Sequence, residues 1–353
     1  MINDIHTSFM KTNLIGLTQA ECEAFAESIG EKKYRGRQLY KWIYEKHAAS
    51  FDEMTDVPQA LRDTLQQTAE LGYLVVEETD ATSTSGSVKY LFRLPDGLHI
   101  ESVYIPEATR KTLCISSQVG CAINCQFCAT ARLGLKRHLS AGEIVDQVLT
   151  IKRLRNEEIT NVVFMGMGEP FTNYDNVIKA ANLLSDDNGM AIGARRIVIS
   201  TSGLADKIRR YADEGHKYRL AISLNSPFQE QRAQLMPISR KWDVDSLLDA
   251  VRYYAQKSRK IPTLEYVLLA GYNDSYDHAM ALKKIVKSMP CKLNLIPYNP
   301  TVNLFSRPSE EHVDQFAQWL LPLNAGLSVR WSKGHDANAA CGQLAGKRSE
   351  WVR

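Results

Sequence analysis

From residue 112 to residue 331 the chain alternates between two kinds of segment. Short apolar runs rich in β-branched residues fall at Thr112–Ser116, Asn161–Met165, Arg196–Ser200, Arg219–Leu224, Thr263–Leu268 and Lys292–Ile296, with a last one at Leu327–Trp331. Between them lie stretches whose apolar positions recur at helical spacing: Ala141–Leu154, Tyr174–Leu184, Leu204–Glu214, Val244–Gln256, Tyr276–Val286 and Glu310–Leu321. The short runs predict buried strands, and the periodic stretches predict helices with one apolar face. Ser140-Ala-Gly-Glu143 has the form of a capping box and marks the start of the first of these helices. Strand then helix, repeated six times, implies a parallel sheet with helices outside it. Six units are too few to close an eight-fold barrel, so the expected fold is α/β, an open (β/α)6 partial barrel.

The N-terminal stretch reads differently. Thr18-Gln-Ala-Glu21 is a second capping box, opening a helix that carries Cys22, Phe25 and Ile29, and residues 36–47 and 57–70 are helix-like. Short strands follow at Val75–Glu78, Lys89–Arg93 and His99–Ile105, the last two separated by the turn Pro95-Asp96-Gly97. The expected organisation is a small helical accessory domain with a β-rich extension over 1–95, a catalytic core over 96–346, and a short basic tail over 347–353.

Composition narrows the class. With 44% hydrophobic and 24% charged residues, the 353-residue chain reads as a soluble globular protein able to bury one large core. Its apolar runs fall far short of a membrane span, and Met1-Ile-Asn-Asp-Ile-His-Thr lacks the basic-then-apolar order of a signal peptide; a cytoplasmic location is expected, with no membrane partner. A net charge of +3 is too small to imply a polyanionic partner by itself. Lys32, Lys33, Arg35, Arg37 and Lys41 interleave with Tyr34, Tyr40 and Trp42, a mixture suited to phosphates and bases. On this pattern alone the better reading is a solvated helix face with its aromatic residues in the core.

Chemistry concentrates in Gly120-Cys121-Ala-Ile-Asn-Cys125-Gln-Phe-Cys128-Ala129. Three thiolates this close together can hold three irons of a 4Fe–4S cube and leave the fourth iron for a small molecule, whereas electron-carrying clusters use four cysteines. Zinc would want a fourth ligand, and the nearest histidine, His138, has no partner pair. An odd count of seven cysteines in a chain expected in the cytoplasm argues against a disulfide framework. Further polar or glycine-bearing tips follow the other strands: Gly166-Met-Gly-Glu-Pro170, Ser200-Thr-Ser-Gly203, Ser223-Leu-Asn225 and Pro297-Tyr-Asn299-Pro300. Ligands of parallel α/β folds sit at this rim.

The Cys-x3-Cys-x2-Cys spacing resembles the signature of the radical S-adenosylmethionine (SAM) enzymes. Together with Cys114-Ile-Ser-Ser-Gln-Val-Gly-Cys121, Gly-Met-Gly-Glu-Pro, Ser-Thr-Ser-Gly, Leu235-Met-Pro-Ile238, Asn294-Leu-Ile-Pro297 and Ala339-Ala-Cys341-Gly-Gln-Leu344, it resembles the RlmN/Cfr family of radical SAM RNA methyltransferases from about Glu101 to Gly346. Tyr34-Arg-Gly-Arg-Gln38 and Trp42-Ile-Tyr44 look like that family's accessory domain. The resemblance implies one 4Fe–4S cluster held by Cys121, Cys125 and Cys128, and two SAM molecules per turnover. It implies a SAM pocket of Gly168, Glu169, Ser200, Ser223, Leu224, Asn225 and Asn299; many relatives carry histidine where Asn225 stands.

It further implies methylation of carbon 2 of an adenine (adenine 2503 of 23S rRNA, and adenine 37 beside the anticodon of certain tRNAs), with a cellular reductant such as flavodoxin and no DNA partner. Carbon 2 is electron-poor and has no lone pair, so simple displacement on SAM fails. In the implied mechanism Cys341 accepts a methyl group from one SAM. A 5′-deoxyadenosyl radical made from a second SAM takes a hydrogen from that methyl, and the methylene radical adds to the adenine. Glu101 removes the carbon-2 proton, and Cys114 attacks the Cys341 sulfur, releasing RNA and a transient disulfide. Pro170 follows Glu169 as in RlmN-type members, whereas Cfr-type members, which act on carbon 8, tend to lose it. A radical SAM enzyme acting on a non-RNA substrate would leave Cys114, Cys341 and the basic segment without roles, and a non-catalytic iron–sulfur carrier would need a fourth ligand. Cys22 and Cys291 match no motif and are expected to pack in the core.

Overall fold

A computed structural model describes residues 11–79, 85–301, 304–323, 326–331 and 342–344. Its ten α-helices are α1 (Gln19–Ser28), α2 (Lys33–Tyr44), α3 (Gln59–Thr68), α4 (Ala141–Arg155), α5 (Tyr174–Ser185), α6 (Ala205–Asp213), α7 (Gln229–Leu235), α8 (Val244–Ser258), α9 (Tyr276–Lys287) and α10 (Glu310–Leu320). Its strands are β1 (Thr12–Asn13), β2 (Ala69–Glu70), β3 (Val75–Thr79), β4 (Val88–Arg93), β5 (His99–Pro106), β6 (Lys111–Cys114), β7 (Gln118–Gly120), β8 (Leu135–His138), β9 (Asn161–Phe164), β10 (Ile197–Thr201), β11 (Arg219–Ser223), β12 (Thr263–Leu268), β13 (Lys292–Pro297) and β14 (Leu327–Val329).

Ten strands form one sheet in the order β14-β13-β12-β11-β10-β9-β6-β5-β4-β3. Strand β6 pairs parallel with β9, and the parallel set continues through β10, β11, β12 and β13 to β14. Each step from one parallel strand to the next crosses through a helix, which gives the six expected strand–helix units. Strands β3 to β6 add an antiparallel meander to the β6 side. The apolar runs are buried as expected of a sheet covered on both faces: Ile197, Ile199, Ala221, Ile222, Leu264, Leu293 and Leu295 are wholly inaccessible.

The chain divides into two units after Leu74. Strands β3 and β4 fall in the second unit, because they are not satisfied by the N-terminal helices. Val88 to Arg93 pair residue for residue with Tyr104 to His99, so their backbone groups need the large sheet. The second unit holds Val75–Leu139, Ile159–Val177 and Gly193–Arg353. The first unit, Met1–Leu74, takes in Ser140–Glu158 and Ile178–Ile192 from the expected core. Within it, Gly16 and Gly142 touch backbone to backbone, and a Cβ on Gly142 would lie 2.4 Å from the Ile15 carbonyl. The buried Asp146 carboxylate accepts from the backbone N–H groups of Tyr73 (2.6 Å) and Leu74 (3.0 Å). Both expected capping boxes form, at Thr18/Glu21 and Ser140/Glu143.

The basic stretch of α2 resolves in favour of the solvated face. Tyr40 and Tyr44 are buried, and Lys33, Arg35, Arg37 and Lys41 each lie within 4 Å of a glutamate. Tyr34 alone of the interleaved aromatics stays widely exposed, at 42%. Cys22 and Cys291 are buried as expected, and burial pushes their thiols up to about 12 and about 11. No described helix is long and apolar enough to cross a membrane. The tail over 347–353 lies outside the described residues.

Candidate active site

A cavity of about 180 Å³ opens at the carboxyl ends of the parallel strands. Cys121, Cys125 and Cys128 line it together with Gly168, Glu169, Ser200, Ser223, Asn225 and Asn299. Of the expected pocket residues only Leu224 stays outside. Its side chain is wholly buried, and it contributes backbone: its N–H donates to the Glu265 carbonyl and its carbonyl accepts from Arg232.

The cysteine loop hangs between fixed points. Before it, Gly120 sits at φ +75°, and a Cβ there would lie 1.7 Å from the Gly134 carbonyl oxygen, to which the Cys121 N–H donates. Only glycine allows β7 this approach to β8. Along the loop, Gln126 N–H donates to the Leu235 carbonyl, Thr301 Oγ1 to the Phe127 carbonyl, and Ala129 N–H to the Gly342 carbonyl. Cys125 and Phe127 pack on a buried cluster of Leu235, Met236, Leu269 and Tyr298. Burial pushes the Cys121 thiol up to about 12 and the Cys125 thiol well above its usual range, so both stay protonated until a metal displaces the protons.

Behind the loop lies Arg232 of α7, which belongs to none of the sequence motifs. It is wholly buried. Its Nε donates to the Leu224 carbonyl (2.9 Å), and Nη2 to the carbonyls of Ser202 (2.7 Å) and Ser223 (3.0 Å). One guanidinium thus ties the tips of β10 and β11 together. Its Nη1 has no hydrogen-bond partner among the described residues. Burial depresses the guanidinium to about 10, and the nearby Cys125 pulls the other way. A buried cation near Cys125 suits an anionic iron–sulfur cube, and the donor set fits the group.

The Gly166–Pro170 tip is latched by a second residue to which the sequence assigned no role, Gln118. Its Oε1 accepts from Glu169 N–H (2.7 Å), and its Nε2 lies 2.8 Å from both Thr172 Oγ1 and His138 Nδ1. Gly168 adopts φ +102°, and a Cβ there would strike the Gln118 side chain at 2.5 Å. Glu169 is buried, with Oε1 accepting from Phe171 N–H (2.9 Å) and Oε2 from Ser202 N–H (2.6 Å); burial nevertheless pushes its carboxyl upward. Asn225 takes φ +57°, a conformation asparagine tolerates better than most residues. Its Oδ1 accepts from Val267 N–H (2.9 Å), and its Nδ2 lies 3.2 Å from Met236 Sδ, so its side chain braces β12.

The remaining expected residues fall beside this cavity. Cys114 lines a second cavity of about 690 Å³, which shares Met165 and Leu344 with the first. Glu101 lies on the neighbouring strand. Cys114 pairs with Val103, two residues from Glu101, so strand alternation puts Glu101 and Cys114 on one face. Glu101 is buried, with Oε1 3.3 Å from Lys89 Nζ. Cys341 lies outside the described residues, whereas the adjoining Gly342 lines the cysteine cavity.

Known proteins share this chain's sequence and fold. Residues 12–71 match the family model for the ribosomal RNA large subunit methyltransferase N-terminal domain, and residues 115–282 match that of the radical SAM superfamily. The chain is 45% identical over 333 residues to a dual-specificity RNA methyltransferase RlmN of Geobacter sulfurreducens, covering 94% of this chain and 91% of the relative. It is 41% identical over 361 residues to the enzyme of that name from Pseudomonas fluorescens, covering 98% and 93%. A radical SAM methyltransferase from Sphaerobacter thermophilus superposes with a TM-score of 0.90 at 41% identity, over 94% of this chain and 99% of that one. The chain belongs to the RlmN family of radical SAM RNA methyltransferases.

Proposed function

We propose that this chain methylates carbon 2 of an adenine in 23S rRNA (adenine 2503) and in certain tRNAs (adenine 37), using Cys341 as methyl carrier, Glu101 as base and Cys114 as resolving thiol. Membership of the family implies a 4Fe–4S cluster and SAM. Cys121, Cys125 and Cys128 would hold the cluster, which when reduced supplies the electron that cleaves SAM to a 5′-deoxyadenosyl radical. The observation that best supports the reading is the pairing of two adjoining cavities: the cysteines and the Gly168–Glu169 tip line one, and Cys114 lines the other.

The residues have chemistry suited to these steps. A thiolate is a good nucleophile toward a sulfonium methyl, which fits Cys341 as the acceptor. Removal of a proton from carbon 2 needs a carboxylate, and Glu101 supplies one with Lys89 Nζ 3.3 Å away. Cys114 is buried in a strand and reaches only what enters the inner face, as a thiol that attacks a tethered adduct should. Burial of Glu101, Cys114 and Glu169 favours chemistry on carbon radicals away from water.

Mass spectrometry of rRNA and tRNA from cells with and without the protein tests this directly. The expected result is loss of 2-methyladenine from both RNA classes when the protein is absent. Loss of an 8-methyl mark instead, or no change in either RNA, would overturn the assignment. The reductant, taken to be flavodoxin, is tested by whether reduced flavodoxin supports SAM cleavage by the reconstituted protein.

A further inference from the structure

The larger cavity differs from the cysteine cavity in position and in lining. It is set on the same face of the sheet but toward the amino ends of the strands, where Thr112, Asn161, Val198, Arg219, Thr263 and Lys292 begin its wall. The β5–β6 hairpin and β14 both reach it. At about 690 Å³ it has the size of a ligand site. Four cations, Arg110, Arg219, Lys292 and Arg330, stand against one acid, Glu107, and Arg110 answers that acid at 2.6 Å. Arg219 and Lys292 are exposed and have no carboxylate partner among the described residues. Trp331, 37% exposed, adds an indole to the same wall.

We propose that this cavity is an RNA subsite, in which a single-stranded nucleotide approaches from the amino ends of the strands while Arg219 and Lys292 hold the phosphates flanking it. The inference rests on the RNA reading above and assigns the path by which that RNA reaches Cys114. Uncompensated cations at a mouth, with a polar interior of Asn161, Thr263, Asn294 and Ser328 and an aromatic wall, suit a nucleic-acid strand better than an apolar metabolite. The two cavities meet at Met165 and Leu344, so a base in one faces chemistry carried out in the other. RNA and SAM would thereby come from opposite ends of the strands without competing for one opening.

The test uses reconstituted full-length protein and a fluorescent hairpin transcript with an unpaired adenine in its loop. For the double variant Arg219→Glu/Lys292→Glu the transcript should bind at least about ten-fold more weakly at 100 mM salt. The slope of log affinity against log salt should shrink by about 1.4, because two phosphates of a single strand are no longer neutralised. Iron content and SAM cleavage without RNA should match the parent, and Arg219→Lys/Lys292→Arg should bind as the parent does. Parental affinity and salt slope in the charge-reversed variant would overturn the subsite. So would AMP binding as tightly as the hairpin, which would mark a free-nucleotide site. A parent protein that cleaves SAM but binds no hairpin, rRNA or tRNA would instead overturn the RNA reading itself.

Discussion

Replacing Arg232 with methionine is the sharpest perturbation of the site that leaves every cysteine in place. The guanidinium makes three hydrogen bonds of 2.7–3.0 Å to buried carbonyls of the β10 and β11 tips. Bonds of this kind from a charged donor contribute about 1.5–3 kcal/mol each, so three would contribute roughly 4–9 kcal/mol if additive. Removing the buried cation gives back several kcal/mol of desolvation. The net loss should be about 3 kcal/mol, below the sum of the bonds and above the effect of an ordinary surface change. Urea unfolding of metal-free protein reads it as a lower midpoint at constant slope. A loss under about 0.5 kcal/mol would refute the view that Arg232 pins the two tips. The cluster supplies an independent readout: with a neighbouring positive charge removed, its midpoint potential should become more negative, and an unchanged potential would separate Arg232 from the cluster.

Other variants address neighbouring parts of the argument. Gly120→Ala should cost about 2–4 kcal/mol and lower iron uptake, because a left-handed φ and a Cβ against the Gly134 carbonyl must both be accommodated; parental iron content would contradict the tight β7–β8 approach. Gln118→Ala should weaken SAM binding several-fold with iron content intact, since it frees the Gly166–Pro170 tip; unchanged SAM affinity by calorimetry would remove the latch from the account. Cys114→Ala protein made in cells should carry covalently bound RNA, and recovery free of nucleotide would count against its resolving role. Cys341→Ala should lose methylation while retaining cluster and SAM cleavage, so a variant that still methylates would end the carrier assignment.

Much of the fold was legible because the parallel strands are buried on both faces. Such strands write themselves as continuous apolar runs, and the intervening helices show one apolar stripe each. What escaped was short or polar. Helix α7 has seven residues, Gln-Glu-Gln-Arg-Ala-Gln-Leu, too few for periodicity to register, yet it carries Arg232. Strand β8, Leu-Lys-Arg-His, is largely exposed and pairs with β7, with Arg137 reaching Asp96 of the β4–β5 turn. Where β3 belongs was less legible, because a strand's allegiance depends on register: nothing local in Val75–Thr79 says that its partner is β4 and the large sheet.

The site divides the same way. The three cysteines proposed to hold the cluster stood out from spacing alone, since three cysteines so close together have few other uses. The supporting residues were not. Gln118 and Arg232 act on backbone groups distant in sequence, and no one-dimensional pattern marks a side chain that bonds carbonyls of Ser202 and Ser223. The Glu101–Lys89 pair arises from antiparallel pairing between β4 and β5, with Lys89 opposite Val103.

The claim on which the account turns is that the transferred carbon travels as a methylene from a cysteine, and isotope content measures this most directly. Reconstituted, reduced protein is given SAM with a fully deuterated methyl group and unmodified RNA, and the product nucleoside is weighed. Transfer through Cys341 and a hydrogen-abstracting radical leaves two deuterium atoms on the new methyl group and one in 5′-deoxyadenosine. Retention of all three on the RNA, with no deuterated 5′-deoxyadenosine, would contradict it.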